Sequence, residues 1–134
     1  MSWVDDAVAA FGRDLGLGGA ALRLPERGAV ELAFERRGTL ALERAEGAGG
    51  GGGGDDLLLY LQRQRPHAGP ERLARALALC HWRHDRAPPV RAGATDDDRL
   101  VLLLRFGARE VTPEAIAQGF ERLVRLMDEL DDAS

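Results

Sequence analysis

The sequence predicts an α+β domain of order α-β-β-β(-β)-α-β-β-α, built on a twisted antiparallel sheet with helices on one face. Three observations predict it. Apolar residues repeat at helical 4-3-4 spacing near both chain ends and once in the middle. Between them, short stretches alternate apolar and polar with period two. The links between those stretches are too short for parallel crossovers, so neighbouring strands run antiparallel.

The first helix is expected over residues 2–15. Ser2 stands at its start, with Asp5 three residues on as in a capping box. Val4, Val8, Phe11 and Leu15 share one face, and Gly16, Gly18 and Gly19 end the helix. Leu22 and Leu24 alternate with Arg23, then Val30, Leu32 and Phe34 with Glu31 and Ala33, then Leu40 and Leu42 with Ala41 and Glu43. These read as a meander over about 20–25, 29–36 and 39–45, with Glu31, Glu35 and Glu43 on the polar face.

Gly47 to Gly54 is almost pure glycine and reads as a loop with a large ordering entropy. A phosphate loop would need Lys-Ser or Lys-Thr after the glycines, but Asp55-Asp56 follows and repels phosphate. Leu57 to Gln62 is the next strand. Pro70 sits in the first turn of a second helix, on which Leu73, Leu77, Cys80 and His84 share a face. Val90–Ala94 and Leu100–Phe106 are strands joined by the turn Thr95 to Asp98. The second of these strands is apolar on both faces, which places it inside the sheet or at an interface. Thr112-Pro113-Glu114 starts the last helix, along which Ile116, Phe120, Leu123, Met127 and Leu130 repeat. The 134 residues suit a single domain, 1–134.

Composition narrows the function. Net charge is −4 and the isoelectric point about 5.4, which argues against nucleic acid as partner. All 18 basic residues are Arg, scattered among acids in the manner of a gene rich in G and C rather than of an anion site. One cysteine, Cys80, excludes an internal disulfide and fits a reducing compartment. The start lacks the basic and apolar runs of a signal peptide, and no apolar run reaches membrane-spanning length.

Candidate chemistry is sparse. Cys80, His81 and His84 supply two or three ligand-type side chains on one helix, where a zinc site needs four; His67 is remote. Serines occur only at positions 2 and 134, and the paired acids sit at element ends. A metal-dependent enzyme or regulator using Cys80, His81 and His84 stays open as an alternative, as does a homodimeric adaptor. The preferred reading is a non-enzymatic binding domain, whose surplus apolar surface marks a partner site.

Several segments carry a family resemblance. Met1-Ser2-Trp3-Val4 with Phe11 and Asp14-Leu15-Gly16, then Gly38 to Glu43, Arg91-Ala92-Gly93 with Leu100-Val101-Leu102, and Gln118 to Leu126 occur in an order and spacing that resemble the SycN-type chaperones of type III secretion. The resemblance implies a class I secretion-chaperone fold and a dimer built on the second helix and a neighbouring strand. It implies heterodimerisation with a YscB-type subunit, with a homodimer as the other possibility. It also implies a YopN-type secreted gatekeeper as cargo, no nucleotide or metal, and a cytoplasmic location, peripheral to the inner membrane near the secretion apparatus. Cargo contact is expected at Val4, Val8, Phe11, Leu22, Leu24, Val30, Leu32 and Phe34. Dimer contact is expected at Leu73, Leu77, Cys80, Leu100, Leu102 and Leu104.

Overall fold

The computed structural model describes residues 3–16, 22–46, 55–63, 70–82, 89–95 and 99–132. Helix α1 (Trp3–Asp14) is followed by strands β1 (Ala29–Phe34), β2 (Gly38–Ala45) and β3 (Asp56–Gln62). Helix α2 (Pro70–Trp82), strands β4 (Arg91–Ala94) and β5 (Leu100–Phe106) and helix α3 (Pro113–Asp132) complete the chain, with a short 3-10 turn at Ala108–Glu110. The five strands form one antiparallel sheet in the order β1-β2-β3-β5-β4.

The period-two pattern explains which way each strand faces. Register aligns Leu42 with Leu59 and Leu59 with Leu104, and Leu40 with Leu61 and Leu61 with Leu102. These even rows of leucine are fully buried. Over them lie Ile116, Phe120, Leu123, Met127 and Leu130, the stripe read from the last helix, and all are buried. Thr112 caps α3: its hydroxyl accepts from the Ala115 N–H at 3.0 Å and its carbonyl from Ile116 at 3.0 Å. Gly119 brings that helix close to the sheet, since a Cβ there would meet the Phe106 ring at 2.8 Å. Buried side chains of all three helices join one cluster with these strand residues, so the helices cover a single face.

One expected strand, over about 20–25, does not form among the described residues. Residues 22–24 lie extended but in no ladder, so the order is α-β-β-β-α-β-β-α. The cause is α1: Gly12 has no side chain, and Leu22 sits against its backbone, with Leu24 buried beside it. Alternation there marks a segment with one buried side, not a strand with a partner. The turn after β1 closes at Gly38, whose φ of +112° suits only glycine. Ser2, the Gly47–Gly54 run, His67, His84 and the Asp96–Asp98 turn lie outside the described residues. No described helix is long and apolar enough to cross a membrane.

Candidate partner-binding surfaces

Among the described residues strand β1 pairs only with β2 and forms one edge of the sheet, so its outer row of backbone donors and acceptors meets no ladder partner there. Its inward side chains Val30, Leu32 and Phe34 pack on the core cluster yet stay half-exposed. The Phe34 ring lies 5.0 Å from Phe120, tilted by 38°. Arg37 sits over the Phe120 ring at 5.6 Å and bonds Glu121 at 2.8 Å, closing the end of this stripe with a cation.

The eight expected cargo residues belong to the core cluster or pack against it, at different depths. Val4, Val8, Phe11, Leu22 and Leu24 are buried and serve as core of the isolated chain. Val30, Leu32 and Phe34 alone present accessible apolar area.

The residues expected at a dimer interface separate in the same way. Leu100, Leu102 and Leu104 turn into the core, beneath α3, because their register partners Leu61 and Leu59 do. The neighbouring Val101 and Leu103 face the other side of the sheet and are half-exposed. On α2, Leu73 packs on the core, Ala76 is buried and Leu77 stands outward at 49% exposure. The Cys80 and His81 side chains lie outside the described residues. Trp3, 61% exposed, is a surface aromatic that the helical periodicity did not single out. Its indole N–H donates to the Val111 carbonyl, tying the start of α1 to the approach to α3.

Polar groups hold the ends of these elements. Arg44 forks onto both Asp5 oxygens at 2.7 and 3.3 Å, joining β2 to α1. That hydrogen bond, opposed by desolvation, holds the guanidinium above its ordinary pKa. Arg63 reaches Asp128 and Asp131 at 2.7 and 2.8 Å and ties β3 to the end of α3. Arg105 donates to Asp56 at 2.8 Å and to the Glu46 carbonyl at 2.6 Å. Near the β1–β2 turn a polar cavity of about 550 Å³ is lined by Glu35, Arg36, Thr39, Gln62 and Arg99 among others. Among its described lining residues Thr39 carries the only hydroxyl, and none is a cysteine or histidine. Among the described residues no cluster of three His, Cys, Asp or Glu is placed to hold a metal ion.

Comparison with known proteins agrees with this architecture. Residues 3–131 match the family described as type III secretory system chaperone SycN. The chaperone protein SycN of Yersinia enterocolitica is 31% identical over 131 residues, covering 97% of this chain and 98% of the relative. The SycN of Yersinia pseudotuberculosis matches at the same identity and coverage. Among solved structures, the Yersinia pestis chaperone SycH, in complex with a fragment of YscM2, superposes with a TM-score of 0.62 at 14% identity, covering 98% of this chain and 99% of that one. The heterodimeric ExoU–SpcU complex of Pseudomonas aeruginosa gives 0.50 at 23% identity, covering 92% and 96%.

Proposed function

Because the chain belongs to the SycN family of type III secretion chaperones, we propose that it pairs with a YscB-type subunit, binds the N-terminal region of a YopN-type gatekeeper and keeps that protein secretion-competent. The observation that carries the cargo reading is the half-open stripe Val30, Leu32 and Phe34 on an edge strand. An extended segment gains main-chain bonds along such an edge, and apolar side chains give it selectivity. The role is binding rather than catalysis, carried out in the cytoplasm, with peripheral placement at the inner membrane near the secretion apparatus. SycH with its YscM2 fragment and SpcU with ExoU show the same fold holding other chains, at identities that support the fold alone. Exposed Leu77 on α2 is the described apolar residue best placed for the YscB-type subunit.

Co-expression with a YscB-type subunit and a YopN-type gatekeeper, followed by size exclusion with light scattering, tests the whole assignment. A 1:1:1 complex is expected. Leu32→Asp and Phe34→Asp are expected to leave the circular dichroism spectrum intact and remove the gatekeeper from the peak. Separate elution of all three chains would overturn the partner assignment. Retained gatekeeper in both variants would overturn the β1 site.

A further inference from the structure

Strand β1 offers a partner two rows of side chains. The inward row, Val30, Leu32 and Phe34, is the half-open apolar stripe described above. The outward row carries Glu31 and Ala33, both exposed, and Glu35 follows in the turn. Glu31 and Glu35 line the same polar cavity of about 550 Å³, and neither bonds another side chain among the described residues. Other acids nearby are committed: Glu43 accepts from Tyr60, Asp56 from Arg105 and Asp131 from Arg63. Register sets Ala41 opposite Glu31 and Thr39 opposite Ala33, so β2 gives the acids small neutral neighbours and no cation. Of the guanidiniums around the cavity, Arg63 is held by Asp128 and Asp131. The Arg99 backbone, just before β5, stands three strand spacings from β1, roughly 14 Å. That exceeds the screening length of about 8 Å at physiological salt. Arg36 alone, next to Glu35, offsets the acids, so the β1 side of the cavity keeps an excess carboxylate.

We propose that Glu31 and Glu35 determine specificity, selecting a bound segment that carries Arg or Lys between the apolar residues entering the stripe. This rests on β1 as the cargo edge and adds the charge class of the segment. In a strand added to β1, alternate side chains fall on opposite sides of the sheet. Those beside Val30, Leu32 and Phe34 are apolar. The intervening ones place a Cβ about 5 Å from that of Glu31. A basic residue there gains an ion pair, and an acid meets like charge. Spacing is selected too. Glu31 and Glu35 stand four residues apart with Ala33 between, so two basic residues at the same spacing match both. The cavity beside them gives a long basic side chain room to lie over the small residues of β2. Each cross-strand pair is worth about threefold in affinity, so the acids choose among segments that the stripe and the edge hold.

Fluorescence anisotropy with three short labelled peptides tests the proposal. All carry valine at alternate positions, and two intervening positions four residues apart are Arg, Gln or Glu. The Arg peptide is expected to bind about tenfold more tightly than the Gln peptide, and the Glu peptide more weakly than both. In the Glu31→Arg, Glu35→Arg double variant, its folding verified by circular dichroism, that order should reverse. Glu71→Arg is the charge control: it lies exposed in the first turn of α2, which packs on β4 at the other edge, and should keep the wild-type order. Equal binding of the Arg and Gln peptides, or an order that Glu71→Arg changes as much as the double variant does, would overturn the charge selection alone. The β1 site would still stand if Phe34→Asp removes binding of the Gln peptide. Failure of all three peptides to bind the wild-type chain, or binding untouched by Phe34→Asp, would overturn the β1 site and the selection with it.

Discussion

Replacing Gly12 with alanine asks where residues 22–24 lie, and the answer is in the sign of the effect. In an exposed helix interior the change stabilises by about 1 kcal/mol, since glycine loses more backbone entropy on folding. Here an added Cβ would stand 2.6 Å from the Leu22 Cβ and 3.2 Å from the Leu22 nitrogen. Carbon atoms sit comfortably at about 3.5–4.0 Å, so Leu22 must retreat by about 1 Å. It has little room, because it and Leu24 are themselves buried. Overpacking of this kind costs about 1–3 kcal/mol, which offsets the propensity gain and leaves a net loss of up to about 2 kcal/mol. Denaturant unfolding measures it as a lowered midpoint at unchanged slope. Leu22→Gly removes the nearest atom but leaves the backbone nitrogen at 3.2 Å, so in that background Gly12→Ala should cost less than in the unchanged chain. A stabilising Gly12→Ala in the otherwise unchanged chain would refute the packing of Leu22 on α1.

Gly38→Ala should destabilise by about 2–5 kcal/mol, combining strain at positive φ with overpacking. Its Cβ would stand 2.5 Å from the Gln62 carbonyl oxygen, a backbone atom that cannot swing aside; a loss below about 0.5 kcal/mol would sink the turn geometry. Leu59→Ala, at the centre of the buried leucine rows, should cost about 2–5 kcal/mol with no change in the order of elements, read by thermal and chemical unfolding. Alkaline titration offers a further check at Tyr60, whose hydroxyl donates to Glu43 at 2.7 Å. Partial burial, and then that bond, raise its pKa above the ordinary value. The unfolded chain therefore loses the phenolic proton first. Tyr60 contributes its full share of stability below about pH 10 and loses it as pH rises further. It is the only tyrosine, so ultraviolet absorbance reads it alone; phenolate forming near pH 10 with the fold intact would contradict the burial.

Much of the fold was legible because burial on one face leaves a period in the sequence. Alternation located β1 and β2, and the 4-3-4-3 spacing of Ile116 to Leu130 gave the buried stripe of α3. The same signal misled at Leu22-Arg23-Leu24, because alternation reports a buried side and is silent about hydrogen-bonded partners. Gly12, mid-helix and without a side chain, was the available hint that something packs there. In β5 both parities are apolar, so the sequence could not tell which residues turn to the core; pairing with Leu59 and Leu61 decided it. On α2 the contrast between Leu and Ala is weak, and contact with β4 turned Leu73 and Ala76 inward in place of Leu77.

Arg105 has a consequence for how the chain tolerates change. It grips the Glu46 carbonyl and the Asp56 carboxylate, while Ala45 and Asp56 are register partners, so the two stems flanking residues 47–54 are held side by side. The stems are fastened by β5 and by the β2–β3 ladder, independently of what joins them. Doubling the length of a flexible connector between fixed stems costs only about 0.6 kcal/mol. This junction is therefore a graft point, where a fluorescent reporter or an affinity peptide adds mass to the chaperone without rethreading its sheet.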